Sequence, residues 1–210
     1  MAGVRDPAPN GRQEGKLRLM SAAPAAPTRP RTLVVASAFG TGSVLLYFGG
    51  LFALYFSIRA DAMAWGTAWF PEGAIQLVPG GMNMATMALS AITMGWAVSA
   101  VLNDDRVHAY LALALTAVLG IAMVNQTAFY FADIGLPIDA SEAATLLFVI
   151  VGSHLVMVAV GVVWLGLLLL RALGGQDTSR HRDLVSAAAL YWYAVVAVYS
   201  VIWVGIYIAK

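Results

Sequence analysis

Cysteine is absent from all 210 residues, which removes disulfides, iron–sulfur clusters and thiolate-held copper or zinc from the chemistry open to this chain. Charge is scarce as well: Asp, Glu, Lys and Arg make up 11% of the residues, against about 25% in an ordinary soluble domain. The charges that exist gather at the ends of apolar runs, and between Glu142 and Arg171 there is none. Nor does the sequence hold a phosphate-cradling Gly-rich loop, a nucleophile elbow or a pair of spaced carboxylates, which argues against a freestanding enzyme.

What is present is apolar. Hydrophobic residues make up 60% of the chain and mean hydropathy is +0.79, the composition of an integral membrane protein. Five segments, over about 32–58, 75–102, 107–134, 143–173 and 184–209, each exceed the roughly 20 residues that cross a bilayer. The fold expected is therefore all-α, a bundle of five transmembrane helices over residues 32–210. Residues 1–31, rich in Ala, Pro, Gly and Arg without apolar periodicity, read as a disordered basic tail. The first apolar run is too long for a signal-peptide core and no convincing small-x-small cleavage site follows it, so it is kept as a span.

Basic residues set the expected orientation. With the tail inside, Arg5, Arg12, Lys16, Arg18, Arg29, Arg31, Arg106, Arg171, Arg180 and Arg182 share one side, against Arg59 and Lys210 on the other. Ten against two places the N-terminus in the cytoplasm and the C-terminus outside. Trp65 and Trp69 in the first outer loop read as interface anchors, and Asp104, Asp105 and Arg106 as a tight polar turn between the second and third spans. Small residues four apart (Gly49, Ala53 and Ser57; Ala91, Gly95 and Ser99; Ala112, Thr116 and Gly120) predict close helix approach in a compact bundle.

Ionisable groups inside a membrane are the default functional candidates, and only His154 lies well within a span, accompanied by the amides Asn83, Asn125 and Gln126. A haem held by two side chains needs ligands on opposite faces, and Met157, one turn from His154, points the same way. Metal sites need about four ligands, and a proton or ion pathway needs a relay of charged groups. The expected role of His154 is a hydrogen bond to another helix or to a lipid headgroup, and Asn83, Asn125 and Gln126 are expected to bond across helices. Such an inert bundle reads as a subunit of something larger.

Four motifs in order then resemble one family. Ser43, Phe48, Gly50, Leu51, Phe52, Ala53, Tyr55 and Phe56 match S-E-x-M-F-F-x-G-L-F-A-x-Y-F; Trp69 and Pro71 echo a Trp-Pro loop; Asn83, Ser90 and Trp96–Ala97 follow in the second span. Gly152, His154, Val158 and Gly161 match G-F-H-G-L-H-V-x-x-G, and residues 191–210 resemble Y-W-H-F-V-D-x-x-W with an aromatic end. The chain resembles subunit III of the haem–copper respiratory oxidases, cytochrome c or quinol type, in a short five-span bacterial form. It departs where the family has Glu (Val44 and Phe129), a second His (Met157), and His and Asp (Tyr193 and Val196), as though its buried polar groups had been replaced by apolar ones.

The resemblance implies a non-catalytic accessory subunit with no cofactor or metal of its own. Haem and copper would sit in the partner catalytic subunit I, with subunit II alongside; nucleic acid is not an expected partner. It implies a phospholipid-holding cleft between the first two helices and the other three, a supporting role in proton uptake, and residence in a bacterial inner membrane. Arg59, Trp69, Asn83 and His154 are the candidates for lipid contact or for structural polar groups. Two alternatives stay open: an accessory protein of a nitric oxide reductase or other respiratory complex, and a small stand-alone transporter.

Overall fold

Each apolar segment forms one long helix. The computed structural model describes residues 32–173 and 179–209; the basic tail expected over 1–31 lies outside the described residues. The helices are α1 (Thr32–Ala64), α2 (Leu77–Leu102), α3 (Arg106–Asp133), α4 (Glu142–Leu173) and α5 (Ser179–Ile202), the last running on into a π-helical turn, Trp203–Ile208. All five are long and apolar enough to cross a membrane, and among the described residues there is no strand.

Hydropathy fades after Ile58, yet α1 continues to Ala64 because the Arg-Ala-Asp-Ala-Met-Ala run keeps high helix propensity without needing an apolar environment. Gly66 stops it at φ +72°. The Gly66 amide donates to the Met63 carbonyl and the Thr67 amide to Ala62, a Schellman closure in which only a left-handed residue fits. The turn after α2 repeats the device without glycine: Asp104 takes φ +58°, its amide reaches Val101, and Asp105 reaches Ala100. Asp105 then caps α3, its carboxylate accepting from the His108 amide at 3.2 Å and meeting the His108 ring at 2.6 Å.

Helix α5 is central, packing on α1, α2 and α4, while α3 lies against α2 and α4. The α2–α3 pair is the most extensive interface, as its short turn dictates. Helix α1 stands to one side, with its main contact on α5 and a lesser one on α4. Its buried residues are Thr41, Phe48 and Tyr55, spaced by seven, so it touches the bundle along a narrow seam two turns apart.

The small-residue stripes divide accordingly. Ala112, Thr116 and Gly120 are all buried, Ala91 and Gly95 half-buried, and Gly49, Ala53 and Ser57 exposed. Space is open around a Cβ at Gly49; its stripe lies off the 41–48–55 seam and packs on nothing in this chain. The glycines that do admit neighbours include Gly80 under the Tyr207 ring, Gly205 under Phe56, Gly95 beside the Tyr193 hydroxyl, and Gly120 and Gly161 around Trp192. Gly205 lies in the π turn, where the Ala209 amide reaches back five residues to Val204.

The His108 amide lowers the Asp105 carboxyl from its ordinary value of 3.8. A lowered folded-state value means that the cap's contribution is complete above 3.8 and fades as pH falls through the lowered value. Asp105→Ala is expected to lower the thermal midpoint at neutral pH, with the gap to wild type closing in acid; a melting series from neutral pH down through the aspartate range checks this.

Candidate functional site

The four polar candidates fall into three places. His154, on α4, is wholly enclosed (0% exposed). Its Nε2–H donates to the Val195 carbonyl of α5 at 3.0 Å, since a carbonyl can only accept. Its ring is met edge-on by Phe48 of α1, and Tyr199 of α5 lies 5.4 Å away, centre to centre. Nδ1 is buried without a partner. The imidazole therefore touches only this chain's helices and joins α4 to α5, with no face toward lipid.

Asn83 of α2 is buried, and its amide donates to Thr127 Oγ1 of α3 at 3.0 Å, the cross-helix bond expected of it. Its Oδ1 has no hydrogen-bond partner. One turn earlier, the Gly80 carbonyl accepts from the Tyr199 hydroxyl at 3.1 Å, so Tyr199 links the surroundings of Asn83 and His154. The expectation for the other two amides is corrected: Asn125 lies on an exposed face of α3, and Gln126 Oε1 is buried without a partner. Neither makes a cross-helix hydrogen bond among the described residues, because the α3 face that meets α2 carries Met123 and Thr127 instead.

Arg59 and Trp69 do come together. They line one cavity of about 410 Å³ at the loop end of α1, with Met63, Phe70, Glu72 and Ile75. The Arg59 Nη2 donates to the Ala209 carbonyl, tying α1 to the end of the last span. Trp69 packs edge-on against Tyr55 and Phe70.

A second cavity, about 580 Å³ and mostly apolar, opens between α1 and α4, lined by Gly40, Val44, Phe48, Val156, Val160 and Trp164 among others. Tyr47 and Ser153 hydrogen-bond across it at 2.8 Å, and Ser37 donates to the Ala187 carbonyl of α5 at 2.9 Å. The expected division, two helices against three, is corrected by these contacts: α2 packs with α3 and α5, and the cleft lies between α1 alone and α4.

Sequence reasoning passed over the residue that touches most elements. The fully buried Trp192 of α5 donates Nε1–H to Ser90 Oγ of α2 at 3.1 Å, and Ser90 donates onward to the Met87 carbonyl. A Cβ at Gly120 of α3 or Gly161 of α4 would fall 2.6 or 2.8 Å from its ring. Ser90 and Gly161 stood in the family motifs, which was the available signal. The departures also divide. Met157 is buried and Val44 and Val196 pack against the core, but Phe129 is 74% and Tyr193 43% exposed, so those two alter an outer face and not the interior.

Thr127→Val is expected to destabilise by about 1 kcal/mol, leaving the Asn83 amide without its acceptor. Asn83→Leu with Thr127→Val should cost less than Thr127→Val alone, because the apolar pair strands no buried donor. Reversible unfolding of the three variants in mild detergent measures both.

Comparison with known proteins agrees with the motifs. The family model for cytochrome c oxidase subunit III matches residues 34–210, which takes in all five helices. Among curated relatives, the cytochrome c oxidase subunit 3 of Paracentrotus lividus is 32% identical over 172 residues, covering 80% of this chain and 66% of that protein. That of Cyprinus carpio is 31% identical with the same coverage, and that of Pisaster ochraceus 30% identical over 173 residues, covering 81% of this chain and 65% of that protein. The chain thus spans about 65% of the length of these relatives. It is a multi-pass membrane protein, and it belongs to the cytochrome c oxidase subunit III family.

Proposed function

We propose that this chain is a non-catalytic accessory subunit of a terminal haem–copper oxidase, supporting the catalytic subunit I and its proton uptake in aerobic electron transport. The observation that carries the reading is the family match across all five spanning helices. Haem and copper belong to the partner catalytic subunit, with subunit II beside it. The bacterial inner membrane is the proposed location, with the N-terminus cytoplasmic, from the ten-to-two distribution of basic residues.

The interior supports a structural role. Its cross-helix polar contacts, His154 to Val195, Asn83 to Thr127 and Trp192 to Ser90, are spent holding helices to one another. Helix α1, held along a narrow seam, leaves Phe39, Leu46 and the Gly49–Ala53–Ser57 stripe outward, a surface suited to a neighbouring membrane subunit. The apolar α1–α4 cleft is the proposed seat of a phospholipid acyl chain. Asn83 and His154 act as internal structural polar groups, and Arg59 and Trp69 as the lipid contacts.

Purification from the native membrane in mild detergent, with identification of what accompanies the chain and a reduced-minus-oxidised visible spectrum, tests this reading. Haem bands and a large multi-span partner with histidine ligands and the copper-site tyrosine are expected. A partner lacking that tyrosine and using non-haem iron would move the chain to a nitric oxide reductase. A colourless protein that remains alone would overturn the subunit reading.

A further inference from the structure

On α3 the outward face carries a group that lipid does not satisfy. The helix packs on α2 and α4. Away from them Leu111, Leu115, Val118, Asn125 and Phe129 stand exposed, with Ala122 half-buried among them. These six residues are spaced four, three, four, three and four apart, the alternation that keeps a seam along one side of a helix. The outward stripe of α4 has the same rhythm through Val156, Val160, Val163, Leu167 and Leu170, all apolar, and acyl chains cover such a stripe without stranding a polar group. On α3 the fifth position is an amide.

Asn125 lies at hydrocarbon depth. It stands eight residues before Asp133, about 12 Å along the helix, and a span from Arg106 to Asp133 overshoots the bilayer core by only about 6 Å at either end. The polar bonds of α3 to α2 are made by Thr116 and Thr127; Asn125 makes none among the described residues. Surface hydroxyls on other spans do not share this difficulty. Ser43 and Thr86 donate to the carbonyls four residues earlier, Phe39 and Met82, and need nothing from outside.

An amide both donates and accepts, so its partner must do both at the same depth. A second copy meets that condition by symmetry. Two copies inserted the same way are related by a two-fold axis along the bilayer normal, which sets α3 parallel to its counterpart and each Asn125 opposite the other. We infer that the α3 stripe from Leu111 to Phe129 is a self-association surface on which two copies of this chain dimerise, their Asn125 side chains pairing amide to amide. Four-three spacing suits a shallow left-handed crossing of about 20°, and Ala122, the smallest residue of the stripe, lets the backbones approach beside the amide. The α1 face offered to a neighbouring subunit belongs to a helix packed on α5 and α4, so both surfaces can be occupied at once. The dimer goes beyond the oxidase reading and does not depend on it.

Because the chain has no cysteine, a single introduced thiol reports one contact at a time. The full chain is reconstituted in liposomes over a range of protein-to-lipid ratios and oxidised. Val118→Cys, in the same heptad position as Asn125, should give a disulfide-linked dimer. Val163→Cys on α4, of similar exposure (62% against 58%), should give about tenfold less. Adding Asn125→Leu to Val118→Cys should raise the protein-to-lipid ratio for half-maximal cross-linking about tenfold, and Asn125→Gln, which keeps the amide, should restore most of the loss. Asn125→Leu changes only an outward face, so the internal contacts of the bundle stay intact. In native membranes the cross-linked product of Val118→Cys should contain two copies of this chain. Equal cross-linking at the two cysteines, an unmoved midpoint in Asn125→Leu, or cross-linking in native membranes to a different polypeptide would overturn the inference.

Discussion

One indole sets the spacing of four helices. Between helices surrounded by lipid the hydrophobic effect gives little drive, so association depends on close contact and on polar groups that find partners. Trp192 supplies both. Its benzo edge occupies the space that side chains at Gly120 and Gly161 would fill, and its N–H is satisfied by Ser90. Because α5 carries it to the centre, α2, α3 and α4 are all gauged against the same rigid group. The Thr93–Thr116 hydroxyl pair at 2.8 Å and the Asn83–Thr127 bond then fix α2 on α3 at two further levels.

Helix α1 depends on this core without being part of it. It meets α5 and α4 through Phe48, Tyr55 and Thr41, and Phe48 reaches the His154 ring, which is itself held by Val195. A narrow seam leaves room on either side, which is why a cavity opens between α1 and α4 in one half of the bundle and another at the far end of α1. The tie from Arg59 to the Ala209 carbonyl closes that far end, drawing the π turn and the Phe56–Gly205 contact with it. The cavities follow from a peripheral helix docked on a tight four-helix core.

Much of this was legible in the sequence, for physical reasons that also mark where legibility stops. Apolar length gave the five helices, and the Asp104–Asp105 pair gave the turn after α2. Rotation about each helix axis was not available. The Gly49, Ala53 and Ser57 stripe has the same spacing as Ala112, Thr116 and Gly120, yet one faces outward and the other inward, since spacing defines a stripe and not its neighbour. Asn83 and Asn125 look alike as isolated amides, but only one meets a hydroxyl. Phe129 and Tyr193 were read as interior replacements and lie on the surface for the same reason. At the Arg59–Trp69 cavity, the residues were named from the sequence, while their convergence depends on a loop fold closed by Gly66 and on the path of the last span.

The most direct measurement is a double-mutant cycle between Gly161→Ala and Trp192→Phe, read as unfolding free energy in mild detergent. A methyl at Gly161 would fall 2.8 Å from the indole, so Gly161→Ala should cost about 1–3 kcal/mol in wild type. It should cost distinctly less once the smaller phenyl ring leaves space, giving a coupling above about 1 kcal/mol. Additive losses, within about 0.5 kcal/mol, would contradict the account and mean that the indole does not set the spacing of these helices.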